Sequence, residues 1–302
     1  MRLGLKSPVH PPSSDYGNSD PDWLKTDWRR YLKRVELPGA EVNYVEVGEG
    51  EPIVFVHGIS GCWQNWLENL LHFGRSRRMI ALDLPGFGAS PMPSWDLDIP
   101  AYGRLLHDFC EKLGVDGGAT LVGNSMGGFV AAEAASAAPG RFDRLVLVSA
   151  AGIINTWNPE ERATAIAFAW KTFGPIFAGR SKEVIRRPRL RQVAFGQFVR
   201  YPNRLRADLL WEQVAGGAVC PGFTDALRAT IRYDLRNRLG SIEVPTLIVW
   251  GFDDRVIPVQ AALSYHRRIP GSRLEIFERT GHVPQMERPE RFNALLDEFL
   301  AA

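Results

Sequence analysis

Apolar residues fall along this 302-residue chain in short runs separated by glycine, proline and aspartate. The stretches Pro52–Val56 (PIVFV), Arg78–Leu82 (RMIAL), Ala119–Val122, Arg144–Ser149 (RLVLVS), Val244–Trp250 (VPTLIVW) and Arg273–Phe277 (RLEIF) are strand-length and nearly continuous. Such a strand is buried on both faces, as in a parallel sheet. Between them, Trp63–Phe73, Ala101–Leu113, Phe129–Ala138, Val259–Arg268 and Glu287–Leu300 carry helical composition and spacing. Upstream, Tyr31–Val47 alternates apolar with polar residues around Pro38-Gly39, which predicts an antiparallel hairpin at a sheet edge. Strands alternating with helices predict an α/β fold: a mostly parallel twisted sheet of about eight strands with helices on both faces.

The rhythm lapses between Ile153 and Leu239, where no strand-like run occurs and helical and aromatic residues dominate. A helical cap inserted over residues 153–240 is expected, leaving 31–152 and 241–302 as the core. Pro, Ser, Asp and Gly dominate the first 22 residues, so 1–30 reads as a flexible or surface-draped arm. That arm has no apolar h-region or small-residue cleavage site, unlike a secretory signal.

Composition narrows the picture without defining it. Apolar residues make up 45% and charged residues 23%, as in an ordinary soluble globular protein, and a net charge of +2 implies no nucleic-acid or other polyanion partner. No stretch approaches the roughly 18 consecutive apolar residues of a membrane span, so no membrane insertion is expected. Cys62, Cys110 and Cys220 are odd in number and widely spaced, which favours reduced thiols and a cytoplasmic location. Metal-ligand spacing is absent and nothing calls for a cofactor. The oligomeric state is not legible.

The candidate chemistry centres on Leu121-Val122-Gly123-Asn124-Ser125-Met126-Gly127-Gly128, an apolar strand running into a glycine-flanked serine and an alanine-rich helix. A serine hydroxyl becomes a useful nucleophile when held clear of its backbone, near a base and beside pre-placed N–H donors. A sharp strand-to-helix turn supplies all three, and only small residues two positions away, here Gly123 and Gly127, tolerate the close backbone approach. The Met126 N–H would then face the carbonyl oxygen under attack. The pentapeptide alone is a weak signal in a chain with 29 glycines, and its strand and helix flanks are what strengthen it.

Such a serine needs a base and an acid to orient that base, both expected on loops after later strands. Trp250-Gly251-Phe252-Asp253-Asp254-Arg255-Val256-Ile257-Pro258 and Thr280-Gly281-His282-Val283-Pro284 are two such loops. The chain order Ser125, Asp254, His282 is the one expected for this triad. His57 reads as structural, Asp83 as the acceptor of backbone N–H bonds in a tight turn, and Cys62 as a buried inert thiol.

Taken together, these motifs resemble the α/β-hydrolases with a cap, from about residue 31 to the C-terminus. The resemblance rests on His57-Gly58, Asp83-x-Pro85-Gly86-Phe87-Gly88-x-Ser90, Gly123-x-Ser125-x-Gly127, Trp250-Gly251-x-x-Asp254-x-x-x-Pro258 and Gly281-His282. It implies Asp254 as the acid, with Asp253 the alternative. It also implies an oxyanion hole from the main-chain N–H groups of Ile59 and Met126. Serine as nucleophile excludes the family's aspartate-dependent dehalogenases and epoxide hydrolases.

The resemblance implies a carboxylic-ester hydrolase acting through an acyl-enzyme on a small-molecule ester with an apolar acyl or alcohol part. Two alternatives stand beside it. Gly123-Asn124-Ser125-Met126-Gly127-Gly128 is similar to the elbow of carbon–carbon hydrolases that cleave ring-fission products. Those enzymes carry a glycine-richer oxyanion loop and a tryptophan after the histidine, where this chain has Ile59-Ser60 and Val283. A cap arginine such as Arg187 or Arg191 would serve their substrate's carboxylate. The other alternative is a ligand receptor on the hydrolase fold. Within the cap, Arg180–Arg206 holds nine Arg or Lys against one acidic residue, Glu183, and reads as a solvated helix face. The aromatics Trp157, Phe168, Trp170, Phe173, Phe177, Phe195, Phe198, Tyr201 and Trp211 are expected to pack cap onto core and to line part of the pocket.

Overall fold

A computed structural model describes residues 15–153, 185–216 and 220–302. Eight strands form one sheet: β1 Leu32–Leu37, β2 Ala40–Val47, β3 Pro52–Val56, β4 Arg78–Leu82, β5 Thr120–Asn124, β6 Arg144–Val148, β7 Thr246–Gly251 and β8 Arg273–Phe277. Their spatial order is β1-β2-β4-β3-β5-β6-β7-β8. The β1–β2 and β2–β4 pairings are antiparallel and the rest parallel, so the predicted hairpin is indeed the edge. Gly39, at φ 72°, takes the left-handed turn position between β1 and β2.

The continuous apolar strands divide their side chains between two cores. Val54, Val56, Ile80, Leu82, Leu121, Leu145 and Leu147 face one side, with α2 Ile99–Lys112, α3 Met126–Ala137 and later α7 Gln260–Arg268. Ile53, Phe55, Met79, Ala81, Val122, Val146 and Val148 face the other, with α1 Leu67–Phe73 and α9 Pro289–Ala301. This two-sided burial is the reason the strands lack polar alternation.

Between β6 and β7 the described chain contains α4 Pro188–Phe195, α5 Ala207–Gly216 and α6 Phe223–Arg232. These build a smaller core of their own from Phe195, Phe198, Leu205, Leu210, Val214, Phe223 and Leu227, against which Ile59, Val256 and Val283 pack. Trp157, Phe168, Trp170, Phe173, Phe177, Arg180 and Glu183 lie outside the described residues. Among the described residues, no helix is long and apolar enough to cross a membrane.

Three elements differ from expectation. The segment predicted as one helix from Trp63 begins as a 3-10 turn, Trp63–Trp66, before α1. The elbow helix starts at Met126 rather than Phe129, because the two glycines that close the turn also form its first turn. The closing helix is interrupted at Arg288, which separates α8 Pro284–Glu287 from α9. Pro289 excludes its predecessor from helical dihedrals, and Arg288 sits at φ −132°, ψ 57°. Of the arm, residues 15–30 lie against the core, with Tyr16 and Trp23 buried.

Candidate active site

Ser125 occupies the turn between β5 and α3 at φ 57°, ψ −119°, a conformation that costs a non-glycine residue about 1–3 kcal/mol. Main-chain bonds hold it there: its N–H donates to Val148 O at 2.9 Å, and its carbonyl accepts from Phe129 N at 3.1 Å and Ala151 N at 2.9 Å. A Cβ on Gly123 would collide with the Gly127 main chain, and one on Gly127 with the carbonyls of Val56 and His57. A Cβ on Gly58 would come within 2.9 Å of the Ser125 Cβ. Strand, helix and the loop after β3 therefore meet at van der Waals contact around the hydroxyl.

Asp254 and His282 arrive from the loops after β7 and β8. Asp254 Oδ1 accepts the N–H groups of Val256 at 2.8 Å and Ile257 at 2.9 Å, which points Oδ2 at His282 Nδ1, 2.8 Å away. Both residues are buried. Nε2 of His282 has no protein partner among the described residues and faces the cleft that Ser125 lines. Asp253, one position earlier, instead pairs with Arg200 Nε at 2.9 Å, so it is turned away from the imidazole.

His57 and Asp83 are buried beside this site but are fully engaged. His57 Nδ1 lies 2.7 Å from Gly58 O, and Nε2 accepts the Leu84 N–H at 2.9 Å, so the ring is neutral with its proton on Nδ1. Burial pushes this imidazole below its ordinary pKa, against the upward pull of Asp83. Asp83 accepts from Trp63 N at 2.7 Å, Ala89 N at 2.9 Å and Asn43 Nδ2 at 2.9 Å. The pair staples the loop after β3 to the loop after β4. Cys62, next to it, is fully buried, and burial followed by the charge of Asp83 pushes its thiol up.

The N–H groups of Ile59 and Met126 donate to no protein acceptor among the described residues. Met126 leads α3, where helix geometry leaves the first amides free. Ile59 follows His57-Gly58 and lines the cleft with Ser125 and His282. The remaining walls are mainly apolar: Phe195, Phe198, Val199, Leu210, Val214, Val283 and Met286. Polar exceptions are Ser60, Asn65, Asn124 and Gln213; Asn65 Nδ2 donates to Gln213 Oε1, and Gln213 Nε2 donates to Gln64 O at 2.9 Å.

No arginine or lysine lines the cleft among the described residues. The Arg191 guanidinium is spent on carbonyls, with Nε on Ile185 O at 2.7 Å and Nη1 on Pro202 O and Leu205 O at 3.4 and 3.2 Å. Arg187 is exposed and does not reach the cleft. His57, Gly58, Gly123 and Gly127 surround the serine.

Residue-type patterns give no sign of Asn124. Its Nδ2 donates to Val148 O at 3.0 Å and to His282 O at 3.3 Å, which ties the elbow to β6 and to the histidine loop. Only its place between Gly123 and Ser125 could have drawn attention to it.

A mostly parallel sheet that presents a serine in a strand–helix turn, with an aspartate–histidine pair on the ends of its last two strands, defines a hydrolase. The chain belongs to the alpha/beta hydrolase family, whose sequence model matches residues 53–295. It is 32% identical over 283 residues, covering 87% of this chain and 94% of the relative, to a 2-hydroxy-6-oxo-2,4-heptadienoate hydrolase of Pseudomonas putida. Among solved structures, a bacterial membrane phospholipase A superposes with TM-score 0.69 at 28% identity, over 89% of this chain and 85% of that one. An N-acyl homoserine lactone degrading enzyme superposes with TM-score 0.72 at 27% identity, over 88% of this chain and all of the other.

Proposed function

We propose that the protein is a serine hydrolase that cleaves carboxylic esters of uncharged, largely apolar substrates. The observation that carries this choice of substrate is the cleft wall: apolar side chains above Ser125, no cation among the described lining residues, and Arg191 turned onto carbonyls. A carboxylate-bearing substrate would find no fixed positive partner among those residues.

In the proposed reaction the Ser125 Oγ attacks the ester carbonyl carbon while His282 Nε2 takes its proton. Asp254 keeps the second imidazole proton on Nδ1 and stabilises the cation. The developing oxyanion is held by the Ile59 and Met126 N–H groups. Collapse breaks the bond to the alkoxy oxygen, which leaves as the alcohol with the proton from His282. Water, deprotonated by His282, then attacks the acyl carbon; the bond to Ser125 Oγ breaks, His282 returns the proton to Oγ, and the carboxylic acid leaves. All steps use protein groups and water alone.

A second reading, carbon–carbon bond hydrolysis, is supported by the relative from Pseudomonas putida. The two separate experimentally in a p-nitrophenyl ester series from acetate to long-chain acyl, run beside a vinylogous 1,5-diketone dienoate. Turnover that peaks at one acyl length and disappears in Ser125→Ala supports the esterase. A kcat/KM for the dienoate orders of magnitude above every ester would replace it with the carbon–carbon hydrolase.

A further inference from the structure

Beneath the histidine loop lies a buried carboxylate that the proposed steps do not use. Glu287, the last residue of α8, is wholly inaccessible. Its Oε1 accepts the main-chain N–H of Gly281 at 2.8 Å and that of Val283 at 3.4 Å, the two residues flanking His282. Its Oε2 accepts the Arg200 N–H at 2.7 Å and the Tyr16 hydroxyl at 2.6 Å. The N–H of His282 itself donates to Phe198 O at 2.6 Å. Three consecutive amides around the imidazole are thereby held, two by this carboxylate and one by the chain it also anchors.

The set has a direction. Every group touching Glu287 is a donor, so only an acceptor fits at its centre. The Tyr16 oxygen already accepts the Tyr201 N–H at 2.8 Å, which commits its proton to Glu287. Burial, and the carboxylate beside it, push the Tyr16 hydroxyl far up, so it stays a donor. Burial outweighs the bonds from Tyr16, Arg200, Gly281 and Val283, which favour the carboxylate, and leaves Glu287 raised to about 7. Nearby charges are otherwise paired: Arg288 with Asp15 at 2.6 Å and Arg200 with Asp253 at 2.9 Å. Three distant stretches, the arm at Tyr16, the segment around Arg200 and the histidine loop, are joined through one side chain.

We propose that Glu287 is the positioning residue that sets the His282 imidazole against Ser125 and Asp254, with Tyr16 of the N-terminal arm as its latch. It rests on His282 acting as the base for Ser125, whichever bond the enzyme cleaves. A displacement of the imidazole by a fraction of an ångström lowers the rate of proton transfer while leaving the cleft walls, and so binding, intact. The arm therefore helps to position the base through Tyr16, although none of its described residues lines the cleft.

Fluorophosphonate labelling of the full-length protein tests this without choosing a substrate. The Ser125 oxygen forms a bond to phosphorus, the P–F bond breaks, fluoride departs, and the serine proton goes to His282. For Glu287→Gln, which puts an NH2 among donors, kinact should fall about 10²-fold with KI unchanged. For Tyr16→Phe, which keeps the ring packing, kinact should fall about tenfold, and the Tm should drop by a few degrees as the Tyr201 N–H loses its acceptor. Glu287→Asp should recover part of the loss. Tyr16→Phe and any Glu287 variant that folds labelling at the wild-type rate would overturn the proposal, as would losses confined to Tm or to KI. Absence of labelling in wild type would overturn the assignment of His282 as base, and the proposal with it.

Discussion

Two histidine–aspartate pairs sit within one site and have opposite fates. His57 and Asp83 are as buried as His282 and Asp254, both aspartates follow a strand end, and both accept two main-chain N–H groups. The difference lies in what each pair has left over. Both ring nitrogens of His57 are used, one on Gly58 O and one on Leu84 N, and the Asp83 oxygens meet three donors. Asp254 satisfies its backbone with Oδ1 alone and keeps Oδ2 for His282, whose Nε2 is left facing the cleft. Burial and polarity do not mark a catalytic group. An unfilled hydrogen-bonding valence aimed into a cleft does.

This contrast predicts that the first pair governs stability and the second governs rate. Ser125→Ala should lower kcat on the preferred ester about 10⁶-fold with little change in the urea midpoint, and His282→Ala should lower kcat equally while also costing stability, because it leaves Asp254 Oδ2 buried without its partner. Residual turnover within tenfold of wild type would dissolve the contrast at once. Asp254→Asn preserves shape but presents a donor to Nδ1, and should cost about 10⁴ in kcat with KM little changed. Asp253→Asn, which touches Arg200 instead, is the matched control and should cost less than about threefold.

Smaller effects belong to the structural pair. Asp83→Ala strands three donors, two of them buried, so unfolding free energy should drop by about 3–5 kcal/mol, read from denaturant curves. The kcat of the protein that remains folded should fall far less than for Asp254→Asn. His57→Gln should cost about 2–3 kcal/mol at neutral pH. Its pH dependence sharpens the point. An imidazole held below its ordinary 6.5 by burial contributes stability that is whole above that pH and lost as pH falls toward the folded value. The gap between wild type and His57→Gln should therefore narrow between about pH 8 and 5.5. A gap that widens would mean His57 is protonated in the folded protein.

Much of this site was legible before any coordinates. Gly123 and Gly127 are readable because the turn around Ser125 leaves no room for a Cβ, a local steric demand with a local signature. The parallel strands from Pro52 to Gly251 announce themselves through two-sided burial, whereas β8, at the sheet edge, is mostly half-buried. Other features have no such signature. Arg191 lies in a basic stretch suited to an anionic substrate, yet its guanidinium is consumed by the carbonyls of Ile185, Pro202 and Leu205. The break at Arg288 was encoded by Pro289 but hidden under a good amphipathic pattern.

The order of residues by itself determined the sheet, its edge hairpin, the elbow and the loops that follow β7 and β8. All of these depend on periodicity, turn chemistry and close approach within a few residues. Tertiary structure alone decided which buried groups remain unsatisfied. Asn124 reaches the His282 carbonyl, Phe198 O takes the His282 N–H, and Glu287 gathers donors from Tyr16 and Arg200, partners far apart along the chain. A hydrogen-bond valence is spent or spared only once the chain has closed on itself. The same residue types therefore make a staple of His57 and leave His282 with a nitrogen that none of the described residues fills.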